Sequence, residues 1–283
     1  MKRIFYIITA FALISLFPAC EPIVEEANVG TIVKDASELK VTIGALYGED
    51  GYLYKVQARC ESAVLCQWTD GINTSTKNDG EFAFTFSGDQ YLTLNAFTAD
   101  GRILTKNVEV KGVIAPPAYP AYGFLFGYTN SIETAEKSWV WNDNWDAPDG
   151  GPVGAIIMSG GAPSSGRDYW GWTPLLSDKK DVCNEGEGSK MVLTLKGKKI
   201  TKYDPQGKVV GQGSINFDMT PTSVYGSLGT LTFAGTNILF PYDYNNMAPW
   251  SSSTFTITYL DDDHLMLFIP SSNGGWYYVF NAE

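Results

Sequence analysis

Histidine is nearly absent from this sequence: one residue, His264, occurs among 283. Triads that activate a serine or cysteine use histidine as the proton carrier, and His264 follows three aspartates at a turn, where we expect an imidazole exposed to solvent. The four cysteines include no pair separated by two residues, so a zinc site of Cys and His is not expected. The sequence therefore predicts no cofactor, no metal and no nucleophilic triad.

Basic residues are also scarce. The chain has 20 Lys and Arg against 31 Asp and Glu, which gives a net charge of −11. A nucleic acid, or a membrane surface rich in anionic lipid, would be repelled by this charge. The balance is typical of a surface protein whose ligand is neutral.

Long stretches with the period of an amphipathic helix are absent, while Gly, Thr, Ser, Tyr, Trp and Phe are abundant. Short runs that alternate apolar and polar residues, separated by Gly, Asp and Asn, are typical of antiparallel strands. We therefore expect an all-β fold class, and the length suffices for two domains.

The first 19 residues have the layout of a secretion signal. Lys2 and Arg3 precede an apolar run that is too short to span a bilayer as a helix. The next residues, Leu16-Phe17-Pro18-Ala19-Cys20, resemble the lipobox of bacterial lipoproteins, which is cleaved before its cysteine. The resemblance implies that residues 1–19 are removed and that the thiol of Cys20 carries a lipid. The alternative is an ordinary secretion signal in which Cys20 is unmodified.

An acidic stretch, Glu21-Pro22-Ile23-Val24-Glu25-Glu26, begins directly after Cys20. Its proline and its lack of periodicity predict a flexible tether over residues 20–29. Acidic residues at this place resemble the surface-export signal of Bacteroidetes lipoproteins. The resemblance implies a lipid anchor in the outer membrane and exposure at the cell surface, with the periplasmic face as the alternative.

Residues 30–112 contain short alternating runs that predict an antiparallel sandwich. The segments Gln67-Trp68-Thr69-Asp70-Gly71 and Gly88-Asp89-Gln90-Tyr91-Leu92-Thr93-Leu94 resemble the polycystic-kidney-disease (PKD) type of immunoglobulin-like repeat. That family carries Phe-Gly-Asp where this chain has Thr69-Asp70-Gly71. The resemblance implies a spacer domain, and we expect Trp68 in its core. Cys60 and Cys66 form either a disulfide across neighbouring strands or two buried thiols.

Residues 113–120 contain three prolines: Pro116, Pro117 and Pro120. Proline-rich segments favour extended, semi-rigid geometry. We expect a linker here that holds a second domain away from the membrane.

Residues 121–283 form the predicted second domain, which is rich in aromatic residues. Eight alternating runs predict strands at residues 138–142, 191–195, 199–204, 209–217, 229–233, 255–259, 265–269 and 276–280. Gly and Asp turns separate these runs, and no helix is expected. The pattern predicts a β-sandwich or a flattened β-barrel closed by its last strand.

Seven of the eight tryptophans lie in this second domain. An indole ring can cover the apolar face of a sugar, while a nearby Asp, Asn or Arg bonds the hydroxyl groups. Trp139 and Trp276 lie in alternating strands and are expected in the core, whereas ligand contact and packing stay open for the others. The candidate ligand-binding residues are Trp141, Trp145, Arg167, Asp168, Trp170, Trp172, Tyr242 and Trp250.

The order of lipobox, PKD-like domain and aromatic-rich domain resembles lipoproteins of Bacteroidetes polysaccharide-utilisation systems. The resemblance implies a non-catalytic protein that captures polysaccharide or oligosaccharide beside a glycan importer. A glycoside hydrolase or lyase is a second hypothesis, with Asp143 and Asp168 as the carboxylate pair to inspect. A third hypothesis is a structural or adhesive surface protein whose tryptophans are all in the core.

Overall fold

A computed structural model describes residues 33–48, 52–62, 64–115, 121–129, 131–160, 163, 165–179, 183–244, 246–271 and 274–283. The predicted signal peptide, Cys20, the tether and the three linker prolines lie outside these residues. Strands dominate the described chain, and its one α-helix is α1 (Ala121–Phe126). No helix in this part of the protein is long and apolar enough to cross a membrane. The predicted all-β class is confirmed, and α1 is a short exception that the sequence did not indicate.

Residues 33–115 form a sandwich of two antiparallel sheets, preceded by a 3₁₀ turn at Ala36–Glu38. One sheet contains β1 (Val41–Tyr47), β2 (Leu53–Cys60) and β5 (Asp79–Ala83). The other contains, in spatial order, β4 (Thr74–Ser75), β3 (Leu65–Thr69), β6 (Gly88–Phe97) and β7 (Ile103–Val113). The predicted sandwich is therefore observed.

Strand alternation builds the core of this sandwich. Leu92, Leu94 and Ala96 of β6 point inward and are fully buried, and Trp68 of β3 lies in the same cluster. Because successive side chains of a strand point to opposite faces, the intervening residues of β6 lie on the outer face. Trp68 is thus a core residue, as its sequence context predicted.

Cys60 and Cys66 are buried free thiols in this core. Burial, and to a smaller extent the neighbouring Cys60, raises the pKa of Cys66 to about 12. Of the two alternatives for this pair, the structure shows the free thiols.

We expect Cys60 and Cys66 to resist alkylation by iodoacetamide at neutral pH in the folded protein, because both are buried and the thiolate is the reactive form. Mass spectrometry of native and denatured protein, both without reductant, checks this. Labelling of both residues after denaturation is the expected result. If denaturation without reductant exposes neither thiol to the reagent, the pair is a disulfide and the assignment is wrong.

The second half of the chain forms a closed antiparallel barrel of eight strands. In both chain and spatial order they are β8 (Glu136–Trp141), β10 (Lys190–Thr194), β11 (Lys199–Tyr203), β12 (Val209–Asp218), β13 (Gly229–Ala234), β16 (Thr254–Leu260), β17 (His264–Ser271) and β18 (Gly274–Ala282). Three short strands lie outside this wall: β9 (Ile156–Ser159), β14 (Tyr242–Asp243) and β15 (Ala248–Pro249). Because β18 pairs with both β17 and β8, the barrel closes. Each barrel strand thus neighbours its predecessor, which is the up-and-down arrangement.

Side chains fill the barrel interior. Trp139, Trp276, Tyr278 and Phe280 are among its fully buried residues. A barrel of eight strands has an interior that side chains alone can fill. The core positions expected for Trp139 and Trp276 are therefore observed.

The two ends of the barrel differ. At the end we call inner, α1 plugs the opening: Leu125 and Phe126 are fully buried, and the carbonyl of Leu125 accepts from the indole of Trp139 at 3.2 Å. The long loops 142–189 and 235–253 meet at the opposite, outer end. The inner end is thus sealed by a helix, whereas loops cover the outer one.

The sandwich packs against the inner end of the barrel. The ring of Phe86 stacks on Tyr128 with centroids 3.8 Å apart and meets Tyr122 edge-on at 5.2 Å. The amide of Gly197 donates to the carbonyl of Gly71 at 2.7 Å. The segment 168–172 therefore lies at the barrel end that the sandwich does not contact, and the exact domain bounds stay a prediction.

Candidate functional site

A small sheet extension projects from the barrel at its outer end. β9 pairs with the first residues of β18, from Gly275 to Tyr278. Residues 168–172 then line up against β9: Gly160 N donates to Asp168 O at 3.0 Å, and Ser159 bridges Tyr169. We call β9 together with residues 168–172 the flange.

One face of the flange carries a row of large apolar side chains. Trp276 of β18 lies opposite Met158 of β9. Because Ser159 pairs with Tyr169 in antiparallel fashion, Trp170 lies opposite Met158 on the next segment. The row therefore begins inside the barrel at Trp276 and ends at the exposed indole of Trp170.

Trp170 and Trp172 are the exposed tryptophans of the described residues, with exposed fractions of 58% and 45%. Tyr169, on the alternate face, packs on Tyr277 with ring centroids 5.3 Å apart. The backbone of Met158 forms hydrogen bonds with the backbones of both tryptophans. Its carbonyl accepts from Trp170 N at 3.1 Å, and its amide donates to Trp172 O at 3.1 Å. The backbone thus fixes both indoles beside one buried methionine.

Buried aromatic rings support Trp172 from below. Its indole meets Tyr244 at 5.8 Å and Trp276 at 5.9 Å between centroids, both edge-on. The hydroxyl of Tyr244 donates to the carbonyl of Leu175 at 3.1 Å. These contacts hold the indole in place before any ligand arrives.

Gly160 makes room for the polar part of the flange. A Cβ at this position would collide with the indole Nε1 of Trp170 and with Oδ2 of Asp168. Both groups therefore lie over the Gly160 backbone, on the same face as Trp170. This places an N–H donor and a carboxylate acceptor next to an exposed aromatic ring.

A cleft of about 440 Å³ adjoins the flange. Residues 173–176, which directly follow Trp172, form part of its wall. Its polar lining includes Asn142, Asp143, Ser177 and Glu187, and its apolar lining includes Trp141, Val153 and Leu175. The segment that carries the exposed indoles thus leads directly into the wall of a groove with hydrogen-bonding groups.

The structure places two predicted site residues against the barrel wall. Trp145 stacks on His264, with centroids 4.1 Å apart and planes 16° from parallel. The guanidinium of Arg167 is paired with Asp149 and donates to Thr258 O at 2.5 Å. The imidazole of His264 is therefore covered by an indole, in contrast to the expected exposure to solvent. The guanidinium of Arg167 fastens its own loop to strand β16 of the barrel wall.

Three further predicted residues lie in the barrel interior or in the loop that caps its outer end. Trp141 stacks on Phe280 at 4.7 Å, and only its edge reaches the cleft. Trp250 donates to the hydroxyl of Tyr278 at 2.7 Å, and that hydroxyl donates to the carbonyl of Tyr242 at 2.6 Å. Of the eight predicted residues, the structure brings Asp168, Trp170 and Trp172 together on one exposed face.

The loops that carry the site are fastened by a buried ion pair. Lys202 Nζ lies 2.6 Å from Glu185 Oε1, and the side chains are 4% and 10% exposed. Lys202 also donates to the carbonyl of Ile238 at 3.1 Å, while the second Glu185 oxygen accepts from the amide of Phe240 at 2.8 Å. The backbone carbonyl of Glu185 accepts from the indole of Trp141 at 2.9 Å. The ion pair and these hydrogen bonds thus connect both capping loops to β11 and β8.

Several of these supporting residues were not predicted. Met158, Gly160, Tyr244 and Glu185 are not among the candidate ligand-binding residues, although the run Ala155-Ile156-Ile157-Met158 is apolar enough to indicate a buried strand. In the described parts of the chain, no group of three or more His, Cys, Asp or Glu side chains could hold a metal ion.

No protein-family model matches the chain, and no curated protein matches it. The chemistry of the side chains is therefore the basis for assigning a function.

Replacing Lys202 by Met is expected to destabilise the protein by about 3–5 kcal/mol, because Glu185 would keep a buried charge without a partner. Thermal and urea unfolding followed by circular dichroism measures this loss. Lys202→Met combined with Glu185→Leu is the control, and we expect a clearly smaller loss. Equal losses in the single and double variants would contradict the role of the ion pair.

Proposed function

We propose that this chain is a non-catalytic lipoprotein, anchored in the outer membrane at the cell surface, that captures polysaccharide for import. The exposed face formed by Asp168, Trp170 and Trp172 is the observation that carries the proposal. A glycan importer at the same membrane is the expected partner.

The chemistry of this face suits a sugar. A pyranose ring has an apolar C–H face that a flat indole can cover, and hydroxyl groups that both donate and accept hydrogen bonds. The Nε1 donor of Trp170 and the carboxylate of Asp168 lie side by side over Gly160. One ring of the ligand can therefore contact an apolar surface, a donor and an acceptor together.

Preorganisation favours binding at this face. The backbone of β9 and the rings of Tyr244 and Trp276 already hold the two tryptophans. Side chains that are ordered before binding lose less conformational entropy when the ligand arrives. The support beneath the indoles is thus consistent with a recognition surface.

The adjoining cleft extends the site beyond a single sugar. Asn142, Asp143 and Glu187 offer amide and carboxylate groups in its wall. A chain of several sugar units that lies across the flange can place its hydroxyl groups here. We therefore propose an oligosaccharide or polysaccharide as the ligand.

The position of the site supports capture away from the membrane. The chain reaches the sandwich at Val33, where Arg102 contacts its carbonyl, and leaves at the far end of β7. The 11 residues of β7 span roughly 35 Å. With a lipid on Cys20, the sandwich would act as the spacer and the flange would lie at the opposite end of the molecule.

Replacing Trp170 or Trp172 by Ala is expected to weaken glycan binding by about 2 kcal/mol each, roughly thirty-fold, because each indole would cover part of a sugar face. Affinity electrophoresis on a polysaccharide panel, with titration calorimetry on the best ligand, measures this.

Tyr47→Ala is the matched control, since Tyr47 is an exposed aromatic residue of the sandwich. Unchanged retardation of both tryptophan variants would refute the assignment of the site. Release of reducing sugars from the same panel by the unaltered protein would instead support a glycoside hydrolase.

Gly160→Ala is expected to weaken glycan binding by about tenfold, although it removes no ligand-contacting group. The new methyl group must displace the indole of Trp170 and the carboxylate of Asp168. Gly166→Ala is the control in the same loop, because a Cβ there meets no atom within 4 Å. Equal affinities of the two variants would show that the flange geometry does not matter for binding.

A further inference from the structure

An exposed apolar row crosses the outer face of the sandwich at one tip. Leu65 on β3 lies opposite Phe97 on β6, which in turn lies opposite Ile103 on β7. Their exposed fractions are 75%, 39% and 60%. Directly opposite side chains of antiparallel strands point to the same face and contact each other. These three residues, which we call the apolar row, are therefore one continuous patch.

The rest of this face is polar. In the next row, Asn95 donates to Gln67 at 3.4 Å and accepts from Thr105 at 2.9 Å. Beyond it, Thr93 donates to Asn107 at 2.9 Å. The apolar row thus stands apart from a hydrogen-bonded surface, and contiguous exposed apolar patches mark protein or membrane contacts.

The apolar row lies where the N-terminal part of the chain reaches the sandwich. Arg102 follows in the loop between Phe97 and Ile103, and it donates to Lys34 O at 2.8 Å and to Val33 O at 3.2 Å. Twelve residues lie between Cys20 and Val33, and a chain of this length spans at most about 45 Å between the two. A lipid on Cys20 would therefore keep this tip close to the bilayer.

The charges at this tip do not favour an anionic surface. Lys34 and Arg102 are positive, while Asp35, Glu38 and Asp100 are negative, and Arg102 is paired with Asp100 at 2.8 Å. Attraction to anionic lipid needs an excess of basic residues. The contact that this tip can make is apolar.

We propose that the apolar row is a membrane-docking surface that rests on an electroneutral lipid bilayer. This inference depends on the lipid anchor of the proposed function and is independent of glycan binding. An anchored domain is held at high effective concentration near the bilayer, so a small apolar contact is enough to fix its orientation. Docked in this way, the chain points the outer end of the barrel away from the membrane.

The test uses the lipidated mature chain on vesicles of phosphatidylcholine and phosphatidylethanolamine. Ile103→Cys or Asn107→Cys, each combined with Cys183→Ser, carries an environment-sensitive NBD label. Both positions lie on the same face of β7, about 13 Å apart. We expect the label at 103 to show a blue-shifted emission and at least a twofold rise in intensity on vesicles, independent of salt. The label at 107 should not change.

A second pair of substitutions separates docking from mere proximity. Leu65→Ser with Phe97→Ser should abolish the response of the label at 103, while the protein still floats with the vesicles and keeps its unfolding temperature and its glycan affinity. If the unaltered protein bound no glycan, the proposed ligand would be refuted. The fluorescence response of the label at 103 would still be expected.

Four results would overturn the inference. They are an unchanged label at 103 on vesicles, equal responses at 103 and 107, a label at 103 already shielded without vesicles, and a mature chain that carries no lipid. The third result would assign the row to a second copy of the chain or to its own residues 20–32.

Discussion

At the outer end of the barrel, the ammonium group of Lys202 and the carboxylate of Glu185 lie 2.6 Å apart and almost sealed from water. Removing two charges from water is costly, so such a pair is favourable only when further hydrogen bonds satisfy both groups. The carbonyl of Ile238 and the amide of Phe240 supply them. The barrel wall thereby fixes both capping loops, and Tyr244 in the second loop supports Trp172.

Five of the seven tryptophans in the barrel half fall into two groups, one buried and one exposed, while Trp145 packs on the wall and Trp250 lies in the cap. Trp139, Trp141 and Trp276 fill the interior, where their apolar area stabilises the barrel. Trp170 and Trp172 lie on a sheet extension that leaves the wall, and their rings stay exposed because no strand pairs beyond residues 168–172 in the described chain. The flange thus extends the row of apolar side chains from the barrel core to the protein surface.

Sequence patterns predicted all eight barrel strands. β11 and β13 alternate buried and more exposed residues with the period of two that follows from strand geometry. β16, β17 and β18 are buried on both faces, and they are recognisable because each is an apolar run of seven to nine residues between turn signals. They missed β9, a buried run of four residues that is too short to stand out, and the six-residue α1, which depends on the barrel opening it fills. For the site, loop context pointed to Trp170 and Trp172. The roles of Trp141 and Arg167 depend on Glu185 and Thr258, which are 44 and 91 residues away in sequence, so local pattern could not reveal them.

Hydroxyl-radical footprinting of all eight tryptophans, with and without a polysaccharide that retards the protein in affinity electrophoresis, tests whether Trp170 and Trp172 form the glycan-binding face. We expect Trp170 and Trp172 to be the most oxidised in the free protein, since they are 58% and 45% exposed. The polysaccharide should protect these two residues and leave the oxidation of Trp145 and Trp250 unchanged. Protection of other residues, with Trp170 and Trp172 still oxidised, would contradict this assignment.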